Sequence, residues 1–171
     1  MKKYLTLLII SGALVGLFYL VGMVMPRTRS VSCRASYKSD PEKVFAVISD
    51  VEHWPQWNTA LQRVEPQPDK GGHPVWILVD QKLRQTKLEI SLIDGPLKMT
   101  TGFEIEGARG NMRYELKRFG DGTVLRITEQ RDIRSPWRRA ARIFVNEYTP
   151  LAGILESLGR KLGETVTAEK L

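Results

Sequence analysis

Few side chains in this sequence have the chemistry of a metal ligand or a nucleophile. The chain has two histidines, His53 and His73, and one cysteine, Cys33. Zinc sites use clusters of Cys and His at short, regular spacings, and these three residues form no such cluster. Cys33 lies in an alternating apolar stretch, where a small buried side chain is the expected role. A Gly-rich phosphate-binding loop is also missing, so we expect no metal site, no nucleophilic triad and no cofactor.

Glu129 and Tyr114 are the two side chains that could perform acid–base chemistry. Side chains alternate between the two faces of a strand, so Glu129 continues an apolar row that contains Leu125 and Ile127. Tyr114 follows Met112 in the same way. A carboxylate beside a phenol in an apolar pocket could hold a ligand hydroxyl, or act as an acid or base with a raised pKa. The alternative is that Glu129 lies in water at a strand end and Tyr114 only packs.

The other candidates are mainly apolar side chains on one face of the predicted strands. Such rows are typical of a soft cavity wall and equally typical of a plain core. Trp54 and Trp57, three residues apart, could form the rim of a cavity or a wedge in the core. The predicted cavity lining comprises Leu88, Ile90, Leu92, Met99, Thr101, Phe103, Met112, Tyr114, Leu125, Ile127, Trp54 and Trp57.

Basic residues exceed acidic ones, giving the chain a formal charge of +7. Several arginines cluster where the last predicted strand meets the closing helix. Anionic lipid head groups would fit such a cluster, and a solvated helix face is the alternative. Proteins that bind single-stranded nucleic acid interleave basic residues with aromatic side chains on which the bases stack. These arginines lack that pattern, so we expect no nucleic-acid partner. The head-group candidates are Arg134, Arg138, Arg139 and Arg142.

A long uncharged run lies near the start of the chain. It extends from Tyr4 to Met25 and is preceded by Lys2 and Lys3. As a helix it would be about 33 Å long, enough for a hydrocarbon core of about 30 Å. A cleaved signal peptide is the alternative, but the residues before Pro26 are a poor cleavage site. We predict an uncleaved single-pass anchor and a membrane location, with the side of the membrane undecided because both ends are basic.

The rest of the chain has the periodicity of an α+β domain. Residues 31–37 alternate like a strand, and a short helix starting at Pro41 and a second short helix or turn over residues 51–58 follow. Strands separated by turns then continue to Ile127 without intervening helices, which predicts an antiparallel meander. A long amphipathic helix begins at Pro136, its apolar stripe continues to Leu162, and a kink is expected at Pro150.

One segment resembles a known superfamily. Ser39-Asp40-Pro41-Glu42-Lys43-Val44-Phe45, followed by Ile48-Ser49-Asp50-Val51-Glu52-His53-Trp54-Pro55-Gln56-Trp57-Asn58, is similar to the opening of START-like (SRPBCC) proteins, the polyketide cyclase/dehydrase and lipid-transport group. By element order the resemblance covers Ser30 to Glu164. It implies a helix-grip fold: a strand, two short helices, a curved antiparallel sheet and a long C-terminal helix. It implies no catalytic residue, because members share a cavity far more than a set of catalytic groups.

These features predict three segments: a transmembrane anchor with its basic flank (1–29), a helix-grip domain (30–165) and a tail (166–171). The expected function is a membrane-tethered domain that binds an apolar molecule, such as a lipid, a quinone or a polyketide-like compound. A binding role is favoured over catalysis. Two alternatives stay open: a cyclase- or dehydratase-type enzyme using Glu129 and Tyr114, and a ligand-free interaction or stress-response module with a filled core.

Overall fold

An eight-stranded antiparallel sheet forms the frame of the protein, with the strand order β2-β3-β4-β5-β6-β7-β1-β8. The structure is a computed structural model that describes residues 2–171, with only the backbone of residues 2, 5, 6 and 8. The elements in chain order are α1 Lys2–Val24, β1 Thr28–Tyr37, α2 Pro41–Ser49, β2 Leu61–Lys70, β3 His73–Asp80, β4 Gln85–Asp94, β5 Lys98–Ile105, β6 Ala108–Phe119, β7 Gly122–Ile133, α3 Pro136–Ala141, α4 Tyr148–Lys161 and β8 Glu169–Lys170.

Helix α4 packs against the inner face of the sheet. Its residues Leu151, Leu155 and Leu158 are fully buried, as are Leu125 and Ile127 of β7. Burial of leucine-sized side chains stabilises a fold by roughly 1.5–3 kcal/mol each, so this contact is a main source of stability. The predicted α+β helix-grip arrangement is confirmed.

Strand β1 joins the far end of the sheet because it pairs with β7, the last long strand. The register runs from Thr28 opposite Asp132 to Tyr37 opposite Thr123. The hydroxyl of Tyr37 then donates a hydrogen bond to the backbone carbonyl of Leu155 in α4, at 2.8 Å. This contact fixes the helix over the sheet, and burial raises the pKa of the Tyr37 phenol.

Strand β2 has little apolar alternation and was not predicted from the sequence. It contains Pro66 and Pro68, which cannot donate hydrogen bonds to a ladder. It lies at one edge of the sheet, where only one side of the strand is paired. Proline is tolerated at that position, which explains a strand without the usual sequence pattern.

The prediction of one continuous C-terminal helix with a kink is wrong. The chain is helical in α3, makes a short 3₁₀ turn, becomes extended at Val145 and starts α4 at Tyr148. Pro150 is therefore the third residue of α4, where its missing N–H has no intrahelical partner to lose. The break removes the clash that a proline ring would make inside a longer helix.

Helix α1 corresponds to the predicted anchor at Tyr4–Met25, and that prediction is wrong. Among the described residues, no helix combines the length and the apolarity that crossing a bilayer requires. The last turns of α1 contact α3: the ring of Trp137 lies 5.8 Å from that of Phe18 and 5.3 Å from that of Tyr19. The predicted membrane location depended on this helix and is overturned with it.

The predicted division into three segments (1–29, 30–165 and 166–171) stays a prediction. Strand β8, within the predicted tail, pairs with Cys33 and Arg34 of β1. Glu164, just after α4, accepts hydrogen bonds from the backbone amides of Lys38 and Ser39 and from the Ser39 hydroxyl, at 2.6, 3.0 and 2.6 Å. The chain after α4 is thus attached to the start of the domain.

Candidate functional site

Two pockets lie on the helix side of the sheet. The inner pocket is bounded by α2, a 3₁₀ helix at Val51–Gln56, β6, β7 and α4, and its volume is only about 10 Å³. The outer pocket lies between the ends of β1 and β7 and the segment from α3 to the start of α4, and its volume is about 230 Å³. The inner pocket is lined by Ile48, Trp54, Trp57, Asn58, Tyr114, Leu125, Ile127, Ile154 and Leu158.

The inner pocket is closed by aromatic side chains. The rings of Trp54 and Trp57 meet edge to face at 6.2 Å, and Trp54 lies 6.5 Å from the ring of Tyr114. The indole N–H of Trp54 donates to the backbone carbonyl of Ile48 at 2.9 Å, whereas the buried N–H of Trp57 has no partner. A space of this size holds one water at most, and the two buried indoles pack as a wedge beside it. Their role at the rim of a ligand cavity stays a prediction.

The remaining predicted lining residues are distributed through the core. Leu88, Ile90, Met99 and Thr101 are buried and border none of the pockets described. Leu92 is half exposed because the register of β4 with β5 shifts between Ile90 and Leu92. A β-bulge at such a shift turns the following side chains to the other face of the sheet. The inward row of β4 therefore ends two residues earlier than the alternation predicts.

Phe103 and Met112 are half-buried beside the polar end of the sheet. The guanidinium of Arg131 lies over the ring of Phe103, 5.6 Å from its centroid. The sulfur of Met112 accepts a hydrogen bond from the Tyr114 hydroxyl at 2.9 Å. Both side chains thus support the polar groups of β6 and β7.

Glu129 and Tyr114 are both buried but border different pockets. Glu129 lines the outer pocket and Tyr114 lines the inner one. Burial raises the pKa of the Tyr114 phenol, and the Glu129 carboxylate raises it further. The Tyr114 hydroxyl donates to the Met112 sulfur, and the lining of each pocket includes one of the two groups but not the other. Their joint role as an acid–base pair stays a prediction.

The outer pocket combines an apolar wall with a charged border. Arg131 Nε lies 2.6 Å from Glu129 Oε1, and Arg142 Nε lies 2.6 Å from Glu147 Oε1. Arg29 Nε is 3.0 Å from the other oxygen of Glu147, yet that buried oxygen accepts no hydrogen bond of good geometry. The lining comprises Arg29, Val31, Glu129, Arg131, Ile133, Arg138, Ala141, Arg142, Val145, Asn146, Glu147 and Pro150.

The four arginines proposed for lipid head groups have separate environments. Arg139 is buried and donates to the Gly22 carbonyl in α1, and Arg142 is buried against Glu147. Arg138 contacts the carbonyl and the carboxylate of Glu106. Arg134 borders a separate pocket near the β5–β6 turn. These contacts divide the cluster, and they do not favour a single face directed at head groups.

A larger groove of about 450 Å³ crosses the opposite face of the sheet. Its side chains at Lys87, Glu89, Glu104 and Asn111 alternate with core residues and so lie on the outer face. Opposite charges are mixed along it, and Phe103 is the large apolar side chain in its lining. Among the described residues, no group of three His, Cys, Asp or Glu could hold a metal ion.

The break between α3 and α4 supplies outer-pocket residues that sequence analysis missed. Val145, Asn146 and Glu147 belong to this break, and Pro150 lies in the first turn of α4. The proline within an otherwise continuous apolar stripe was the available signal. A chain that breaks before a proline, instead of kinking at it, exposes several backbone and side-chain groups at one place.

A curved antiparallel sheet that holds a C-terminal helix, with a pocket between them, defines a helix-grip protein. A model of the family described as polyketide cyclase / dehydrase and lipid transport matches residues 29–160, and the chain belongs to that family. No curated protein matches the sequence.

Solved structures with the same fold differ greatly in sequence. The Zhui aromatase/cyclase from Streptomyces sp. R1128 is 13% identical, with a TM-score of 0.68 over 80% of this chain and 94% of that one. A truncated norcoclaurine synthase from Thalictrum flavum is 13% identical, with a TM-score of 0.65 over 79% and 93%. A START superfamily protein from Mycobacterium smegmatis is 16% identical, with a TM-score of 0.59 over 80% and 99%. At these identities the likeness shows the fold alone.

Proposed function

We propose that this protein binds an apolar small molecule in the outer pocket, between the sheet and the α3–α4 segment. The observation that supports this most directly is the contrast between the two pockets. The inner pocket has room for one water, whereas the outer pocket has about 230 Å³ and walls that include Val31, Ile133 and Val145. Ligand sites are typically concave, mostly apolar and equipped with a few polar groups. The family's description as a lipid-transport group is consistent with such a ligand.

Catalysis of the cyclase or dehydratase type is less well supported. It would require Glu129 and Tyr114 to act on one substrate, and the two residues border separate pockets. Glu129 also accepts a hydrogen bond from Arg131 Nε at 2.6 Å, so its carboxylate already has a partner within the protein. The filled inner core would equally suit an interaction module without a ligand, so the experiment must distinguish binding from no binding.

The test compares two residues of the same connecting segment. Val145 and Ile143 are equally exposed, at 60% each, but only Val145 lines the outer pocket. The full chain would be purified in a non-ionic detergent and its bound small molecules identified by native mass spectrometry. We expect a co-purifying apolar molecule that is lost in Val145→Trp and kept in Ile143→Trp. Absence of any ligand from all three proteins, with no uptake of added lipids, would support the interaction module instead.

A further inference from the structure

The border of the outer pocket has an excess of positive charge. Four arginines and two glutamates line it, a formal excess of two positive charges around a small apolar space. Arg142 is nearly fully buried, and its partner Glu147 is mostly buried. A buried guanidinium is costly unless an anion compensates it, and Glu147 compensates Arg142.

The half-exposed Arg29, Arg131 and Arg138 keep N–H donors that their carboxylate partners do not occupy. Glu147 is shared between Arg142 and Arg29, while Glu129 pairs with Arg131 alone. Arg138 is held by Glu106, whose side chain is 93% exposed and lies outside the pocket lining. Each guanidinium has five N–H donors, and none of the four uses more than two nitrogens in these contacts. The pocket therefore retains donor capacity for a further anion.

We infer that the ligand of this pocket is an amphiphile with a carboxylate. Its apolar part would contact Val31, Ile133 and Val145, and its carboxylate would accept hydrogen bonds from the pocket arginines. Guanidinium and carboxylate groups match in a planar, two-bond geometry, which makes arginine the usual residue for this recognition. The inference depends on the proposed function, because it specifies the ligand class of the same pocket.

Arg29 is the residue of choice for a test. Its side chain is half exposed, and Glu147 keeps Arg142 as a partner when Arg29 is neutralised, so the fold should survive the change. Arg126 offers a matched control because it is exposed on β7 and alternates with the inward-facing Leu125 and Ile127. The variants Arg29→Gln and Arg126→Gln remove the same charge from the two faces of the sheet.

The experiment titrates the full chain with octanoate, 1-octanol and octylammonium by calorimetry, with detergent-only blanks. We expect octanoate to bind about tenfold more tightly than 1-octanol, the ratio that corresponds to one charge-assisted hydrogen bond. Octylammonium should bind most weakly. Arg29→Gln should weaken octanoate severalfold without affecting 1-octanol, and Arg126→Gln should change neither. Added salt should weaken octanoate selectively.

The outcomes separate the two proposals. Equal affinities for octanoate and 1-octanol, or an equal effect of Arg29→Gln and Arg126→Gln on octanoate, would overturn the carboxylate inference and leave the apolar-ligand proposal standing. Binding of none of the three probes would overturn both. Octanoate binding that is lost in Val145→Trp and weakened in Arg29→Gln would support both.

Discussion

The guanidinium of Arg139 donates a hydrogen bond from Nε to the backbone carbonyl of Gly22 at 2.7 Å, although the two residues are 117 positions apart in the sequence. Both partners are buried, and the backbone of α1 approaches α3 so closely that a Cβ at position 22 would lie 1.9 Å from the Pro136 carbonyl oxygen. Only glycine permits this approach. Since α3 supplies Arg138 and Ala141 to the outer pocket, the contact with α1 positions one wall of the candidate site.

Gly22→Val should separate α1 from α3, because the valine side chain cannot occupy space already filled by the Pro136 backbone. We expect faster hydrogen exchange of the amides in residues 134–142, measured by mass spectrometry on the full chain. Gly16→Val is the matched control, since a Cβ at Gly16 has no atom within 4 Å. Unchanged exchange in Gly22→Val would show that α1 does not hold α3.

Trp54→Phe and Trp57→Phe should differ in stability although both remove the same atoms. Trp54 loses a hydrogen bond and leaves the Ile48 carbonyl unsatisfied, whereas Trp57 loses a buried N–H that has no partner. We expect Trp54→Phe to be less stable than Trp57→Phe by about 1–3 kcal/mol in urea unfolding. Equal losses would mean that an ordered water satisfies the Trp57 indole.

Glu164→Gln should remove part of the pH dependence of stability. Burial opposes ionisation of Glu164, but hydrogen bonds from Ser39 and Lys38 outweigh it and hold the pKa of this carboxyl below its usual 4.5. A lowered folded pKa stabilises the protein above the unfolded pKa, and the gain is lost as pH falls through the folded value. The variant should be less stable than the wild type at neutral pH, and the gap should close in acid.

Tyr114→Phe should have a small effect at neutral pH because the lost partner, the Met112 sulfur, is a weak acceptor. Burial raises the pKa of Tyr114 above its usual 10.0, so the folded protein disfavours the ionised phenol. A raised folded pKa stabilises the protein below the unfolded pKa, and the wild type should lose stability relative to the variant above about pH 10. Parallel curves of unfolding free energy against pH would contradict this.

The elements with strong local patterns were predictable. Alternation of apolar and polar residues identified β1 from Val31 to Tyr37, and Pro41 marked the start of α2. Both signals are local, because the periodicity of a strand or a helix depends on residues close together in the sequence. Strand β2 was missed since an edge strand containing Pro66 and Pro68 lacks that alternation. Leu92 was assigned to the inner face because a bulge, which the sequence does not mark, reverses the alternation after Ile90.

The sequence by itself determined the α+β class, the antiparallel order of the strands and the superfamily, because these depend on local periodicity and on a short opening motif. Only the tertiary structure decided which of the inward-facing side chains on the strands line a pocket. Glu129 and Tyr114 both lie on buried rows, yet they line different pockets, and the outer pocket forms at a helix break near Pro150. Volume between elements depends on how side chains from distant segments fill it, and no single segment contains that information.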